Sequence, residues 1–77
     1  MTYVNAVAIT GAYTRAVAIA ASARSEAFDS EIRRIRASCW LSRTARRQLA
    51  HTALVEAGLS CQNTVTNCIC VSLLLRD

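Results

Sequence analysis

The side chains best suited to chemistry in this chain are its arginines. All nine cationic residues are Arg, and six of them fall within fifteen positions: Arg33, Arg34, Arg36, Arg43, Arg46 and Arg47. No carboxylate lies between Glu31 and Glu56, and Trp40, the only tryptophan, lies inside the cluster. Guanidinium groups are planar, permanently charged and weakly hydrated, so they bind carboxylates, phosphates and aromatic faces. The cluster is therefore the candidate binding surface.

Helical periodicity divides this cluster into a smaller set. Arg33, Arg36 and Trp40 lie at positions i, i+3 and i+7, which share one face of a helix. The predicted partner-binding residues are Arg33, Arg36, Trp40, Arg43 and Arg47. The last two join this face only if the helix runs straight through the whole cluster. Arg34 and Arg46 fall off the face.

Two classes of partner suit a basic surface that carries a tryptophan. Trp and Arg are enriched at the hot spots of protein interfaces, and positive charge steers encounter with an acidic partner. Arginines also neutralise phosphates, and a tryptophan stacks on bases, but no helix-turn-helix, zinc-finger or aromatic sheet motif is present. We therefore expect a small non-catalytic regulator or inhibitor that docks on a larger acidic protein. The alternatives are a nucleic-acid-binding regulator and a structural subunit with a solvated basic face.

The four cysteines do not have the spacing of a metal site. Cys68 and Cys70 are separated by one residue, whereas structural zinc sites favour pairs separated by two to four. Cys39 and Cys61 lie far from this pair. Because no secretory signal pattern is present, we expect reduced thiols that are buried as small hydrophobic groups. Disulfides or a metal site are the alternatives. In the favoured interpretation the chain holds no metal and no other cofactor.

The single histidine lacks the partners that catalysis needs. His51 lies opposite the apolar side of its predicted helix, and Glu56, five residues on, points away from it. The two glycines are too far apart to form a phosphate-binding loop. We expect no enzymatic activity and an exposed His51.

Size and composition predict one globular domain over residues 1–77. Apolar residues make up 53% and charged residues 18%, which is the opposite of a disordered composition. Fourteen residues are Ala, so the core is thin, and a chain this short buries only about 60% of its unfolded surface. We therefore expect a homo-oligomer or a permanent complex with a larger protein.

The predicted compartment is the cytoplasm. Arg15 interrupts the first apolar stretch well short of the ~20 residues that a membrane span requires. Abundant Arg and Ala without any Lys are typical of a GC-rich bacterial or viral genome. For a viral protein, such as one from a phage, the compartment would be the host cytoplasm.

The N-terminal segment fits a helix better than a hairpin. Seven apolar positions follow an unbroken 3-4 spacing: Ala6, Ile9, Tyr13, Ala16, Ala20, Ala23 and Ala27. The alternative is a β-hairpin, because residues 6–9 and 16–19 both have the sequence Ala-Val-Ala-Ile on either side of Gly11. In a helix, Gly11 would mark a close crossing.

Two shorter helices are predicted to follow, and the end of the chain has two alternative secondary structures. Asp29 or Ser30 is the predicted cap of the second helix, in which Ile32, Ile35 and Cys39 form the apolar stripe. A straight continuation would place Arg46 in that stripe, so we expect a break near residues 41–42.

The third helix is predicted to be capped by Ser42 or Thr44 and to end before Gly58. Residues 65–71 favour a strand by composition, which would pair with the N-terminal segment or with a second chain. Alternatively they form a helix capped by Asn63.

The predicted fold class is mainly α: a long Ala-rich first helix, two shorter helices and a C-terminal apolar segment. The alternative is an α+β fold in which an N-terminal hairpin pairs with a C-terminal strand.

Overall fold

The computed structural model describes residues 3–23 and 25–76. Within these ranges the chain forms four helices and no strand: α1 (Tyr3–Ser22), α2 (Glu26–Ala37), α3 (Arg43–Glu56) and α4 (Thr64–Leu75). The mainly α prediction is confirmed. The alternative is wrong, because α1 covers both copies of the repeated sequence and α4 covers the predicted strand.

The buried face of α1 differs by one position from the predicted one. Ala12 and Ala16 are buried within α1 and Ala23 directly after it, whereas Tyr13 is 51% exposed. Ala27 lies beyond α1 and is exposed, and Ala6 and Ile9 lie where only the helical backbone is described. Because α1 is apolar on almost every side, its periodicity gives little information about which side packs. The buried positions of α1 are alanines because α1 packs closely against α4, which leaves room only for small side chains.

Gly11 does not mark a helix crossing. A Cβ atom added at this position would have no neighbour within 4 Å among the described residues. The prediction of a close approach is therefore wrong, and the glycine lies on the exposed side of α1.

Helix α2 begins earlier than predicted. The Oγ atom of Ser25 accepts a hydrogen bond from the backbone N–H of Phe28 at 3.2 Å, which makes Ser25 the cap. Asp29 and Ser30 therefore lie inside the helix, and the prediction that either caps it is wrong. Glu26 and Asp29 place negative charge in the first turn, where the helix dipole favours it. The early start brings Phe28 into the core.

The predicted break between the second and third helices is confirmed. The Oγ atom of Ser42 accepts a hydrogen bond from the N–H of Ala45 at 3.1 Å and caps α3, so that Thr44 lies inside the helix. Gly58 follows the end of α3 with a φ of 72°, the left-handed conformation predicted there. Cys39 lies beyond the end of α2 and is exposed, so its place in the predicted apolar stripe was wrong.

Helix α4 is the central element of the fold. The Oδ1 atom of Asn63 accepts from the N–H of Thr66 at 3.0 Å, as the helical alternative required. α4 packs against each of the other three helices, which explains why it is apolar on nearly all sides. The core combines residues of all four helices: Ala16, Ala23, Phe28, Ile32, Ile35, Ala50, Ala53, Leu54, Cys70, Val71 and Leu75. The arginines of α2 and α3 lie around this core.

None of the helices in the described part of the chain combines the length and the apolar character required to cross a bilayer.

Candidate functional site

The turn between α2 and α3 presents Trp40 to solvent. The N–H of Leu41 donates to the carbonyl oxygen of Ser38 at 3.0 Å, closing a turn with Cys39 and Trp40 at its centre. Trp40 is 77% exposed. Because α2 ends at Ala37, Trp40 does not continue the helical face of the arginines, and the i+7 argument for its position was wrong. It lies in the connection between the arginines of α2 and those of α3.

Three arginines line one cavity, and one of them was not predicted. Arg33, Arg36 and Arg46 surround a space of about 510 Å³ together with Ala37 and Leu75. We call this space the arginine cavity. Arg33 and Arg36 are one turn apart on α2, as predicted, whereas Arg46 comes from α3.

A sequence signal for Arg46 did exist. Arg46 precedes Ala50 by four residues and Ala53 by seven, so it lies on the apolar side of α3. The position of Leu75 had no comparable signal, because it depends on how α4 crosses the other helices.

Arg46 is the least solvated guanidinium of the cavity. Its side chain is half-buried, and its Nε atom is buried without a hydrogen-bond partner within residues 3–23 and 25–76. Arg33 and Arg36 are exposed. An unsatisfied buried donor costs about 1–3 kcal/mol, and more when it is charged. The cavity thus holds a cation that is partly removed from water and lacks an acceptor for Nε–H.

The basic surface continues from the arginine cavity toward the end of α4. A neighbouring space of about 390 Å³ is lined by Arg33 and Arg36 again, by Arg76 and by one carboxylate, Asp29. Arg76 was not among the predicted residues. Neither Arg33 nor Arg36 forms an ion pair with any residue that the structure describes.

Arg34 is engaged within its own helix. Its Nη2 atom lies 2.6 Å from Oε1 of Glu31, and its Nε atom donates to Oε2 at 3.2 Å. This two-point hydrogen bond lowers the pKa of the Glu31 carboxyl and raises the pKa of Arg34. Both side chains are largely exposed, so the pair contributes little to stability. Arg34 does not line the arginine cavity.

Arg43 and Arg47 do not continue the helix of the α2 arginines, because α2 ends at Ala37 and both belong to α3. Arg43 is exposed at the first position of α3. Arg47 lines a separate cavity of about 510 Å³ between α3 and α4, together with His51 and Cys68. Of the five predicted partner-binding residues, Arg33 and Arg36 thus line a different cavity from Arg47.

The thiols and the imidazole form no metal site among the described residues. All four cysteines are free, but Cys39, Cys61 and Cys68 are exposed. The prediction of buried cysteines holds only for Cys70, the pKa of which is raised by burial and, to a lesser extent, by the nearby Cys61. His51 is exposed, as predicted.

Comparison with protein-family models, with curated proteins and with solved structures finds no match to this chain.

Proposed function

We propose that this chain is a small regulator or inhibitor that binds an acidic surface of a larger protein. The observation that carries the proposal is the exposure of Trp40, which presents 77% of its surface to solvent in a turn flanked by arginines. A second buried aromatic side chain would strengthen a small core in which four of the eleven buried residues are alanines and only Phe28 is aromatic. A tryptophan held outside such a core is well suited to anchor a partner, because Trp and Arg dominate interface hot spots.

The arginines beside Trp40 do little for the stability of the fold. Arg43 occupies the first turn of α3, where no acidic residue is present and where the helix dipole disfavours positive charge. Arg33 and Arg36 face solvent without an ion pair in the described ranges. Arg36 lies in the last turn of α2, where the helix dipole favours a cation, but its guanidinium stays exposed. The charges of Arg33, Arg36 and Arg43 are therefore available to attract and orient an acidic partner.

The docking surface that we propose consists of Arg33, Arg36, Trp40 and Arg43. Arg47, which was predicted with them, lines the separate cavity between α3 and α4 and is not part of this surface. A partner that covers the turn would desolvate Trp40, while the arginines around it form pairs with partner carboxylates.

A reducing compartment is consistent with this proposal. Three exposed free thiols persist in cytosol, where glutathione and thioredoxin keep cysteines reduced. We therefore place the interaction in the cytoplasm, or in the host cytoplasm for a viral protein. Self-association, expected from the thin core, stays a prediction that sedimentation of the purified chain would check.

The test is capture of the partner with a matched pair of variants. Tagged wild type, the double variant Trp40→Ala/Arg36→Ala, and the control Arg15→Gln are used on the same cell extract. Arg15 is exposed on α1, far along the chain from the docking surface, and its substitution removes one positive charge. We expect one protein to be retained by wild type and by the control and lost by the double variant, and purified partner to reproduce this result.

The same proteins would also be tested for binding to DNA and RNA at two salt concentrations. If the chain instead retained nucleic acid with a steep salt dependence, and the captured proteins were the same for all three baits, the nucleic-acid-binding alternative would replace the docking proposal.

A further inference from the structure

We infer that the arginine cavity is a binding site for a phosphomonoester dianion attached to a compact, partly apolar body. This inference goes beyond the docking proposal, because it concerns a small ligand and needs no protein partner. It also depends on Arg46, which is not part of the docking surface.

The described lining of the arginine cavity is positively charged. Three guanidinium groups line the cavity, and its described lining includes no carboxylate. Cations held close together repel one another, and an anion placed among them reverses the sign of each interaction. A dianion with three acceptor oxygens matches three guanidinium groups better than a single carboxylate, which would leave most of the charge uncompensated.

Arg46 is less solvated than an ordinary surface arginine. A solvated basic face would leave every guanidinium in water, as Arg33 and Arg36 are. Arg46 is half-buried and has a buried Nε–H without an acceptor among the described residues. Electrostatic attraction is stronger where water is partly excluded, and guanidinium forks bind phosphate oxygens in pairs. Arg46 is therefore poised to bind an oxoanion more strongly than a surface arginine would.

The volume of the arginine cavity and its apolar lining suit a ligand larger than a phosphate group. At about 510 Å³ the cavity falls within the range of about 300–1,000 Å³ typical of small-molecule sites. It is larger than one phosphate group requires. Leu75, which is buried, and Ala37 supply an apolar part of the wall. The cavity thus has a cationic region for the phosphoryl group and an apolar region for the rest of the ligand.

The experiment is a calorimetric titration of the full chain with phenyl phosphate at pH 8, where a phosphomonoester is dianionic because its second pKa is near 6. Inorganic phosphate and benzoate are the comparison ligands. We expect phenyl phosphate to bind more tightly than either. Equal affinity for inorganic phosphate would overturn the apolar part of the inference, and equal affinity for benzoate would overturn the preference for a dianion.

Variants locate the site. Arg46→Gln and Arg36→Gln should each weaken phenyl phosphate binding about tenfold or more, and Arg46→Lys should not restore wild-type affinity, because an ammonium lacks the planar fork. The control Arg15→Gln removes the same charge from α1 and should leave the affinity within about twofold. Circular dichroism establishes that each variant is folded, and Arg36 is exposed, so its variant is informative even if Arg46→Gln unfolds. Equal losses of affinity in Arg15→Gln and in the cavity variants would show that the ligand is attracted by the overall charge of the protein. That result would overturn the inference of a site in the arginine cavity.

Discussion

The side chain of Asn67 pairs with the backbone of Cys61 at two points. Its Nδ2 atom donates to the carbonyl oxygen of Cys61 at 2.7 Å, and its Oδ1 atom accepts from the N–H of Cys61 at 3.1 Å. Asn67 is buried in the second turn of α4. The pair therefore attaches the α3–α4 connection to the central helix through hydrogen bonds, in addition to the packing of Leu59 against the core.

Replacing Asn67 should destabilise the fold strongly. Asn67→Ala removes both hydrogen bonds and leaves two backbone groups of Cys61 without their partners, for an expected loss of about 2–3 kcal/mol in the free energy of unfolding. Urea denaturation followed by circular dichroism measures this loss. The control Gln62→Ala, at an exposed neighbouring position, should stay within about 0.5 kcal/mol of wild type. Equal stabilities of the two variants would show that the pair does not hold the connection.

The two glycines should respond to alanine in opposite directions. Gly58 has a φ of 72°, where an L-residue is strained, so Gly58→Ala should lower the free energy of unfolding by about 1–2 kcal/mol. Gly11 lies inside α1 with no neighbour within 4 Å of an added Cβ, as far as the described residues extend. Gly11→Ala should therefore raise stability by about 1 kcal/mol through helix propensity. Thermal denaturation of the pair tests both signs, and a destabilised Gly11→Ala would indicate an unseen contact on that side of α1.

The helix boundaries that the sequence predicted are those with local chemical signals. Ser42 and Gly58 have side-chain and backbone preferences that act within one turn, so they could be located without knowing the tertiary structure. The helical position of Arg46 also indicated the break between α2 and α3. One straight helix through both segments would have placed the charge of Arg46 in the core. Ser25 was missed because Asp29 and Ser30 offered the same capping chemistry a few residues later.

Helix α4 and the arginine cavity depended on tertiary packing. Val65, Thr66 and Ile69 favour strands intrinsically, but the cap at Asn63 and burial among three other helices stabilise a helix here. The cavity joins Arg36, Arg46 and Leu75 from three different helices. Helical periodicity relates residues within one helix, and so it could identify the Arg33 and Arg36 side of the cavity but not the whole set.

The carboxyl of Glu31 should titrate below the ordinary value for glutamate, because its hydrogen bonds to Arg34 favour the charged form. A pKa that is lower in the folded state than in the unfolded state stabilises the fold above the unfolded pKa, and this stabilisation is lost as pH falls through the folded pKa. Carbon-detected NMR titration measures the pKa directly. In Arg34→Gln the pKa should rise back toward the ordinary value for glutamate. An unchanged value would mean that the pair does not persist in solution.

Removing Trp40 should leave stability unchanged despite the size of the side chain. Because Trp40 is 77% exposed, Trp40→Ala should change the free energy of unfolding by no more than about 0.5 kcal/mol. Leu54→Ala, which truncates a fully buried side chain of α3, should cost about 2–5 kcal/mol and serves as the reference. A large loss in Trp40→Ala would mean that the indole packs on the fold, which would remove the main support for the docking proposal.

The four thiols should separate into two classes by their reactivity. Cys39, Cys61 and Cys68 are exposed, so they should react rapidly with a chromogenic disulfide reagent in the native protein, giving three equivalents. Cys70 is buried in α4, and burial both blocks access and raises its pKa, which lowers the fraction of reactive thiolate. The fourth equivalent should appear only on unfolding in denaturant.

The variant Cys70→Ala assigns the slow thiol, because it should give three equivalents with or without denaturant. Its native helical content would be checked by circular dichroism, since the truncation removes a small buried group from the central helix. Four rapid equivalents in the native wild type would contradict this arrangement. They would mean that α4 opens toward solvent on its core-facing side, and the packing of all three surrounding helices would then have to be revised, because each of them contacts α4.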